Sequence, residues 1–144
     1  MNAYPDSSFL LSLYSVDAHS QSAASVVRQH QPIFSLTPFS EAEFTNAVEL
    51  GVFVKRYTKR EARAVRDHFL AHLGSGVFRV HDFPSDAYAL ACTLSRRHTA
   101  KLGTRALDVL HVACALTLKA EALFTFDQRQ QRLARAEGLR ILPS

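Results

Sequence analysis

Tryptophan is absent, and the only thiols are Cys92 and Cys114. Both stand in apolar helical patterns, so they are expected to be small core residues in a reducing compartment, not a disulfide or a metal pair. There is no cluster of histidine and cysteine with zinc-like spacing, which turns any metal chemistry toward oxygen ligands. No apolar run approaches the ~20 residues that cross a membrane as a helix. Asp6 falls where the apolar region of a signal peptide would begin, so a cytoplasmic protein without membrane attachment is expected. Repeats, low-complexity segments and inter-domain linkers are also missing.

What is present has an ordinary globular balance, 47% apolar and 21% charged over 144 residues. That is one domain, residues 1–144, with enough chain to bury a core. Seventeen Lys and Arg against thirteen Asp and Glu leave +4, a value compatible with an anionic partner without demonstrating one. The basic residues gather at Lys55, Arg56, Lys59, Arg60, Arg63 and Arg66, and again at Arg129, Arg132, Arg135 and Arg140. The first group reads as a solvated helix face or as an RNA groove.

The stretch Gly103–Leu118 is apolar nearly all round and predicts a buried helix, yet Asp108 lies inside it. A carboxylate there is costly unless paired, protonated or bound to a cation. Arg105 and His111 lie three residues to either side, on the same face. Arg105 offers a plain ion pair, and His111 reads as a buried, hydrogen-bonded histidine.

Along the chain, a short strand before Asp6 leads into a helix with Phe9, Leu10, Leu13 and Tyr14 at helical spacing. A helix over Ser20–His30 and a strand over Pro32–Thr37 follow. The next helix has two possible starts: Thr37-Pro38 as cap and first residue, or Ser40-x-x-Glu43 as a capping box. Thr58–Leu73 is a second helix, so the two are expected to form a hairpin. Val77–Val80 predicts a strand, and Pro84 opens a helix with Tyr88, Ala91, Cys92 and Leu94 inward. Strands at Ala122–Phe126 and Leu139–Leu142 flank a helix over Gln128–Glu137.

This alternation predicts an α/β fold, a three-layer α/β/α arrangement around a parallel sheet of four to five strands. Ligands in such folds bind beyond the carboxyl ends of the strands. Asp6 and Asp127 fall at that edge, Glu41 and Glu43 follow the second strand by one helical turn, and Asp108 is within reach. Four acids from four parts of the chain are thereby expected to converge. Glu43 also reads as a capping acid, Glu41 as its replacement, and Asp127 as the N-cap of the following helix.

The segments Tyr4-Pro-Asp-Ser-Ser8, Ala42-Glu-Phe-Thr-Asn-Ala47, Arg105-Ala-Leu-Asp-Val-Leu-His111 and Phe124-Thr-Phe-Asp127 resemble a PIN domain, and within that family a VapC-type toxin ribonuclease of a type II toxin–antitoxin system. The order and spacing agree over essentially the whole chain. The resemblance implies that Asp6, Glu43, Asp108 and Asp127 form an acidic metal site supported by Ser7 and Thr125. It also implies a cognate antitoxin and a homodimer. Pro5 departs from the family, which usually has an apolar strand residue there, and no second acid closely follows Asp127.

Hard oxygen ligands suit Mg²⁺ or Mn²⁺. Asp6, Asp108 and Asp127 are the expected metal set, with Asp6 and Asp108 in direct contact and Glu43 and Asp127 acting through water or orienting the nucleophile. Arg105 supports Asp108. The expected activity is metal-dependent endonucleolytic cleavage of RNA. A PIN-like module that binds RNA or protein without catalysis is the alternative. A hydrolase with an aspartyl nucleophile would want a second Asp two residues after Asp6, where Ser8 stands. The expected helical hairpin would offer a partner Phe44, Val48 and Val52 as apolar anchors.

Overall fold

The computed structural model describes residues 1–144. Its centre is a parallel sheet of five strands in the order β3-β2-β1-β4-β5. The strands are β1 (Asn2–Pro5), β2 (Ile33–Leu36), β3 (Arg79–Val80), β4 (Ala122–Phe124) and β5 (Arg140–Leu142). Parallel strands need crossover connections, and helices supply them: α1 (Ser7–Tyr14), α2 (Ser20–His30), α3 (Pro38–Phe53), α4 (Lys59–Gly74), α5 (Asp86–Leu94), α6 (Ala100–Leu102), α7 (Ala106–Thr117) and α8 (Gln128–Ala136). A π-helical turn, Ser95–Thr99, joins α5 to α6.

Two apolar cores lie on opposite faces of the sheet, which makes the fold a three-layer α/β/α sandwich. One contains Phe9, Phe34, Phe44, Phe69 and Phe124. The other contains Tyr4, Leu94, Val112, Leu123, Leu133 and Ile141. Successive strand residues therefore divide between the cores, as the pleat requires. No helix is long and apolar enough to cross a membrane.

Pro5 sits at the end of the central strand. The Asp6 N–H still donates to Phe124 O at 3.0 Å. Alternation then turns the missing donor of Pro5 toward β2, beyond the register that ends at Ala3 and Phe34. The proline therefore leaves Asp6 anchored to β4.

The start of α3 is Thr37, with Pro38 at the first helical position. The Ser40 hydroxyl accepts from the Thr37 N–H at 3.2 Å. Ser40 is thus spent inside this cap, and Glu43, three residues further on, is released from capping. The hairpin of α3 and α4 forms, with the rings of Phe44 and Phe69 4.1 Å apart. Its expected anchors are not free, however: Phe44 and Val48 are fully buried in the core. The large apolar residues it exposes are Leu50, Phe53 and Val54 at its turn and Leu70 on α4. Gly51 is buried beneath Tyr57, whose ring would lie 2.3 Å from any added Cβ.

Helix α5 corrects a second expectation. Tyr88 and Cys92 face outward, Ala87 and Leu94 inward, so Cys92 is an exposed thiol while Cys114 is buried. The inward stripe of this short helix is Ala87, Leu90, Ala91 and Leu94, so Tyr88 and Cys92 share a helical spacing but stand one residue out of phase with it.

Candidate active-site cleft

The central strands end at the site. β1 and β4 are neighbours from which the chain departs in opposite directions across the sheet, the place where open α/β folds leave a crevice. Asp6 follows β1 and caps α1, and Asp127 follows β4 and caps α8. The Asp127 Oδ1 accepts from the N–H groups of Arg129 at 2.8 Å and Gln130 at 3.2 Å. The expected capping role of Asp127 is therefore real, and it leaves Oδ2 available.

Asp6 is completely buried. Its Oδ1 accepts from the Phe9 N–H at 2.9 Å and the Ser8 hydroxyl at 2.7 Å. Its Oδ2 accepts from the Thr125 hydroxyl at 2.6 Å. Burial pushes the carboxyl pKa of Asp6 upward, against the opposing pull of His111, Thr125, Phe9 and Ser8. Thr125 also accepts from the Asp127 N–H at 2.9 Å. One hydroxyl thus ties together the loops after β1 and β4. Ser8 does the same from the other side, accepting from the Phe126 N–H at 3.1 Å.

Glu43 projects from α3 and accepts from the Ser7 hydroxyl at 3.2 Å and from His111 Nε2 at 2.5 Å. The hydrogen bond from His111 lowers its pKa, outweighing partial burial. His111 is fully buried, and its Nδ1 lies 3.0 Å from the Tyr4 hydroxyl. The expected buried histidine is present, with Glu43 as its partner. The pairing was invisible in the sequence because the two residues meet across the fold.

Asp108 lies in the first turn of α7, nearly buried. Its Oδ2 accepts from the Arg105 backbone N–H at 3.1 Å. The Arg105 side chain makes no ion pair with it. The charged neighbour is Arg129, whose Nε lies 3.5 Å from Asp108 and whose guanidinium also reaches Asp127 at 4.0 Å. Arg129 was not singled out from the sequence, where it is one of several arginines in α8.

Ser7, Glu43, Asp108, Asp127, Arg105, Arg129 and Gln130 share the walls of one cleft of about 440 Å³. Asp6 is not on these walls; it adjoins the lining residue Ser7 and is linked to Asp127 through the Thr125 hydroxyl. The buried Gln130 Oε1 has no hydrogen-bond partner. Glu41 lines a different surface depression, with Pro38 and Glu49. No three acidic, histidine or cysteine side chains are arranged as a finished metal cage. The chemistry of the donors still fits a hard divalent ion: they are all carboxylates, and two of them already share a cation, the Arg129 guanidinium. Mg²⁺ typically takes one or two carboxylates and keeps several waters, so a complete protein cage is not required.

The solved structures similar to this chain share its architecture. The sarcin-ricin loop cleaving toxin VapC20 of Mycobacterium tuberculosis matches at 20% identity over 90% of this chain and 93% of its own, with a TM-score of 0.68. VapBC2 from Rickettsia felis, bound to a DNA fragment from its promoter, matches at 16% identity over 98% of this chain and 97% of that one, with a TM-score of 0.67. FitAcB from Neisseria gonorrhoeae matches at 13% identity over 96% and 95%, with a TM-score of 0.68. At these identities the likeness concerns the fold. No curated protein matches the sequence. The family model for the PIN domain, however, matches residues 3–136, a span that begins within β1, ends with α8 and takes in the three acids of the cleft and the buried Asp6; the chain belongs to the PIN domain family.

Proposed function

We propose that the chain is a metal-dependent endoribonuclease of VapC type, the toxin of a toxin–antitoxin pair, acting as a single 1–144 unit in the cytoplasm. The observation that carries this reading is the cleft itself: Glu43, Asp108 and Asp127 come from three separate elements, with Asp6 linked to Asp127 through Thr125, and Arg105 and Arg129 at the rim. Such a concentration of negative charge beside arginines suits a divalent cation and a phosphodiester together.

Asp108 and Asp127 would hold Mg²⁺ or Mn²⁺, with Asp6 completing the acidic set. Direct contact with Asp6 requires an opening past Ser8 or Thr125. A bound divalent ion would lower the pKa of an attacking water and offset charge building on the scissile phosphate. The protein's own groups do the rest. His111 and Ser7 hold the Glu43 carboxylate in one orientation, ionised and able to accept a proton from an attacking water. Thr125 and Ser8 fix the relation of the two Asp-bearing loops. Arg105 and Arg129 supply charge to phosphate oxygens, which guanidinium groups bind in a fork.

The alternative of a binding module without catalysis would be favoured by a locked Arg129. Its separations of 3.5 and 4.0 Å from the two carboxylates are too long for a bidentate pair, so the cleft is not closed by it. The VapBC-type neighbours support a cognate antitoxin, and the family resemblance alone suggests a homodimer. Leu50, Phe53 and Val54, exposed at the end of the α3–α4 hairpin, are the apolar surface we assign to the antitoxin.

The test is cleavage of single-stranded RNA by the purified chain with Mn²⁺ or Mg²⁺ against EDTA, together with expression of the chain alone. Internal cleavage that EDTA abolishes, and growth arrest relieved by the neighbouring reading frame, are expected. Harmless expression with no small partner recovered would remove the toxin assignment, and metal-independent or absent cleavage would remove the nuclease.

A further inference from the structure

Three aromatic rings form a column that runs from the core to the surface beside the cleft. Phe9, fully buried, stacks on Phe126 with centroids 5.6 Å apart and planes 16° apart. Phe126 in turn stacks on His19 at 4.3 Å and 14°. His19 is exposed, and its ring nitrogens have no hydrogen-bond partner; only its backbone N–H is engaged, by Asp17 at 2.8 Å. The outer face of the column is therefore an open imidazole.

The column is held rigidly. Phe126 immediately precedes Asp127, and its N–H is pinned by Ser8. His19 is fixed by its place at the start of α2 and by the Asp17 turn. A ring whose position is already set loses little freedom when a second ring stacks on it.

Its surroundings point to the occupant. His19 and Phe126 line a groove of about 290 Å³ together with Arg56, Asp17, Ser8 and Asp127. Asp127 also lines the acidic cleft, so the two depressions meet at that residue. Arg56 is exposed and makes no ion pair. Asp17, the groove's other acid, is occupied by Ser12, Ser20 and the His19 N–H. A flat open aromatic face, an unpaired guanidinium and continuity with the cleft are the elements that single-stranded nucleic acid sites combine: stacking for a base and positive charge for a phosphate.

We propose that this groove is a subsite for single-stranded RNA, in which an unpaired base next to the scissile phosphate stacks on His19 and Arg56 holds a neighbouring phosphate. The proposal rests on the nuclease reading, and it adds how the strand is gripped outside the acids. Stacking accepts every base, so the subsite contributes affinity and requires an unpaired strand, with little preference for sequence.

The test measures binding in the full chain carrying Asp108→Asn, with Mn²⁺ present, using single-stranded RNA oligonucleotides that hold one 2-aminopurine at successive positions. At one position its fluorescence is expected to be quenched on binding. His19→Ala should remove that quenching and weaken binding roughly tenfold, as loss of one stacked base does. His19→Tyr, which restores a stacking face, should recover both. Arg56→Ala should weaken binding and lower the slope of log affinity against log salt by about one. If the Asp108→Asn chain binds RNA and His19→Ala binds as well with unchanged fluorescence, the subsite is refuted while the nuclease reading stands. That result would also be obtained from a groove reserved for a protein partner. Failure of His19→Tyr to recover binding would equally refute stacking. If no RNA binds at all, the nuclease reading and the subsite fall together.

Discussion

Replacing Thr125 by valine deletes one hydroxyl without changing the shape of the side chain, and that hydroxyl joins two halves of the site. It donates to Asp6 Oδ2 at 2.6 Å and accepts from the Asp127 N–H at 2.9 Å, and both Thr125 and Asp6 are fully buried. No other hydrogen bond reaches Asp6 Oδ2. A hydrogen bond to a charged group contributes about 1.5–3 kcal/mol, and a buried group left unpaired adds to the loss, so the variant should be destabilised by about 2–4 kcal/mol near pH 8. For a chain of this size that lowers Tm by about 6–12 °C. The loss should depend on pH. Asp6 already has a raised pKa from burial, and without Thr125 it rises further. Below the folded pKa the carboxyl is neutral in both proteins and the difference contracts; above it, the variant keeps an ionised carboxylate with one donor fewer. Urea unfolding at pH 8 and at pH 5 measures both quantities. A difference under about 0.5 kcal/mol at both pH values, the range of ordinary surface substitutions, would refute the idea that Thr125 holds the Asp6 charge.

In wild type without metal, the raised pKa of Asp6 means that the folded chain binds more protons than the unfolded one, so its contribution to stability falls as pH rises from about 4 through the folded value. Mn²⁺ at a hundredfold excess over its Kd should offset this by about 2.7 kcal/mol, read as a rise in Tm over EDTA; no rise would count against a metal in the cleft. His111→Leu removes the hydrogen bond that lowers the Glu43 pKa and should move the acidic limb of the cleavage–pH profile upward, whereas His111→Gln, which keeps a donor, should move it less; equal profiles would make His111 purely structural. Arg129→Gln frees Asp108 and Asp127 of their shared cation and should tighten Mn²⁺ binding while weakening RNA binding; titration calorimetry showing unchanged Mn²⁺ affinity would contradict the placement of the ion. Gly51→Ala drives a methyl into the Tyr57 ring and should cost about 1–3 kcal/mol while leaving Mn²⁺ binding intact.

Much of the fold was legible because its punctuation is local. Asp6 and Asp127 each end a short apolar strand and cap a helix, so one residue type marks both the strand end and the site. The order of elements and the three-layer sheet followed from that alternation. What could not be read depended on contacts across the fold. The start of α3 had two locally acceptable caps, and Thr37–Pro38 prevails by recruiting Ser40, the residue the competing box required. The burial of Asp6 depends on Thr125, 119 residues away in sequence. Arg129 was one arginine among several until α8 was placed against α7. Tyr88 and Cys92 lie at a helical spacing that happens to mark the solvent side of α5. Phe44 and Val48 were apolar at the right spacing for a groove and equally for a core, and the core claimed them. The raised pKa of Asp6 likewise comes chiefly from burial, which the sequence around it does not reveal.

The central claim is that the acidic cleft performs metal-dependent RNA cleavage, and Asp108→Asn tests it most directly. Asparagine keeps the acceptor for the Arg105 N–H and removes only the charge. Single-turnover cleavage of one RNA by wild type and variant in Mn²⁺, with circular dichroism of both, is the measurement. A loss of at least about 100-fold, the size expected when several kcal/mol of charge stabilisation is removed, with an unchanged spectrum is the expected result. A variant that cleaves at the wild-type rate would contradict the claim and make Asp108 a structural residue of α7.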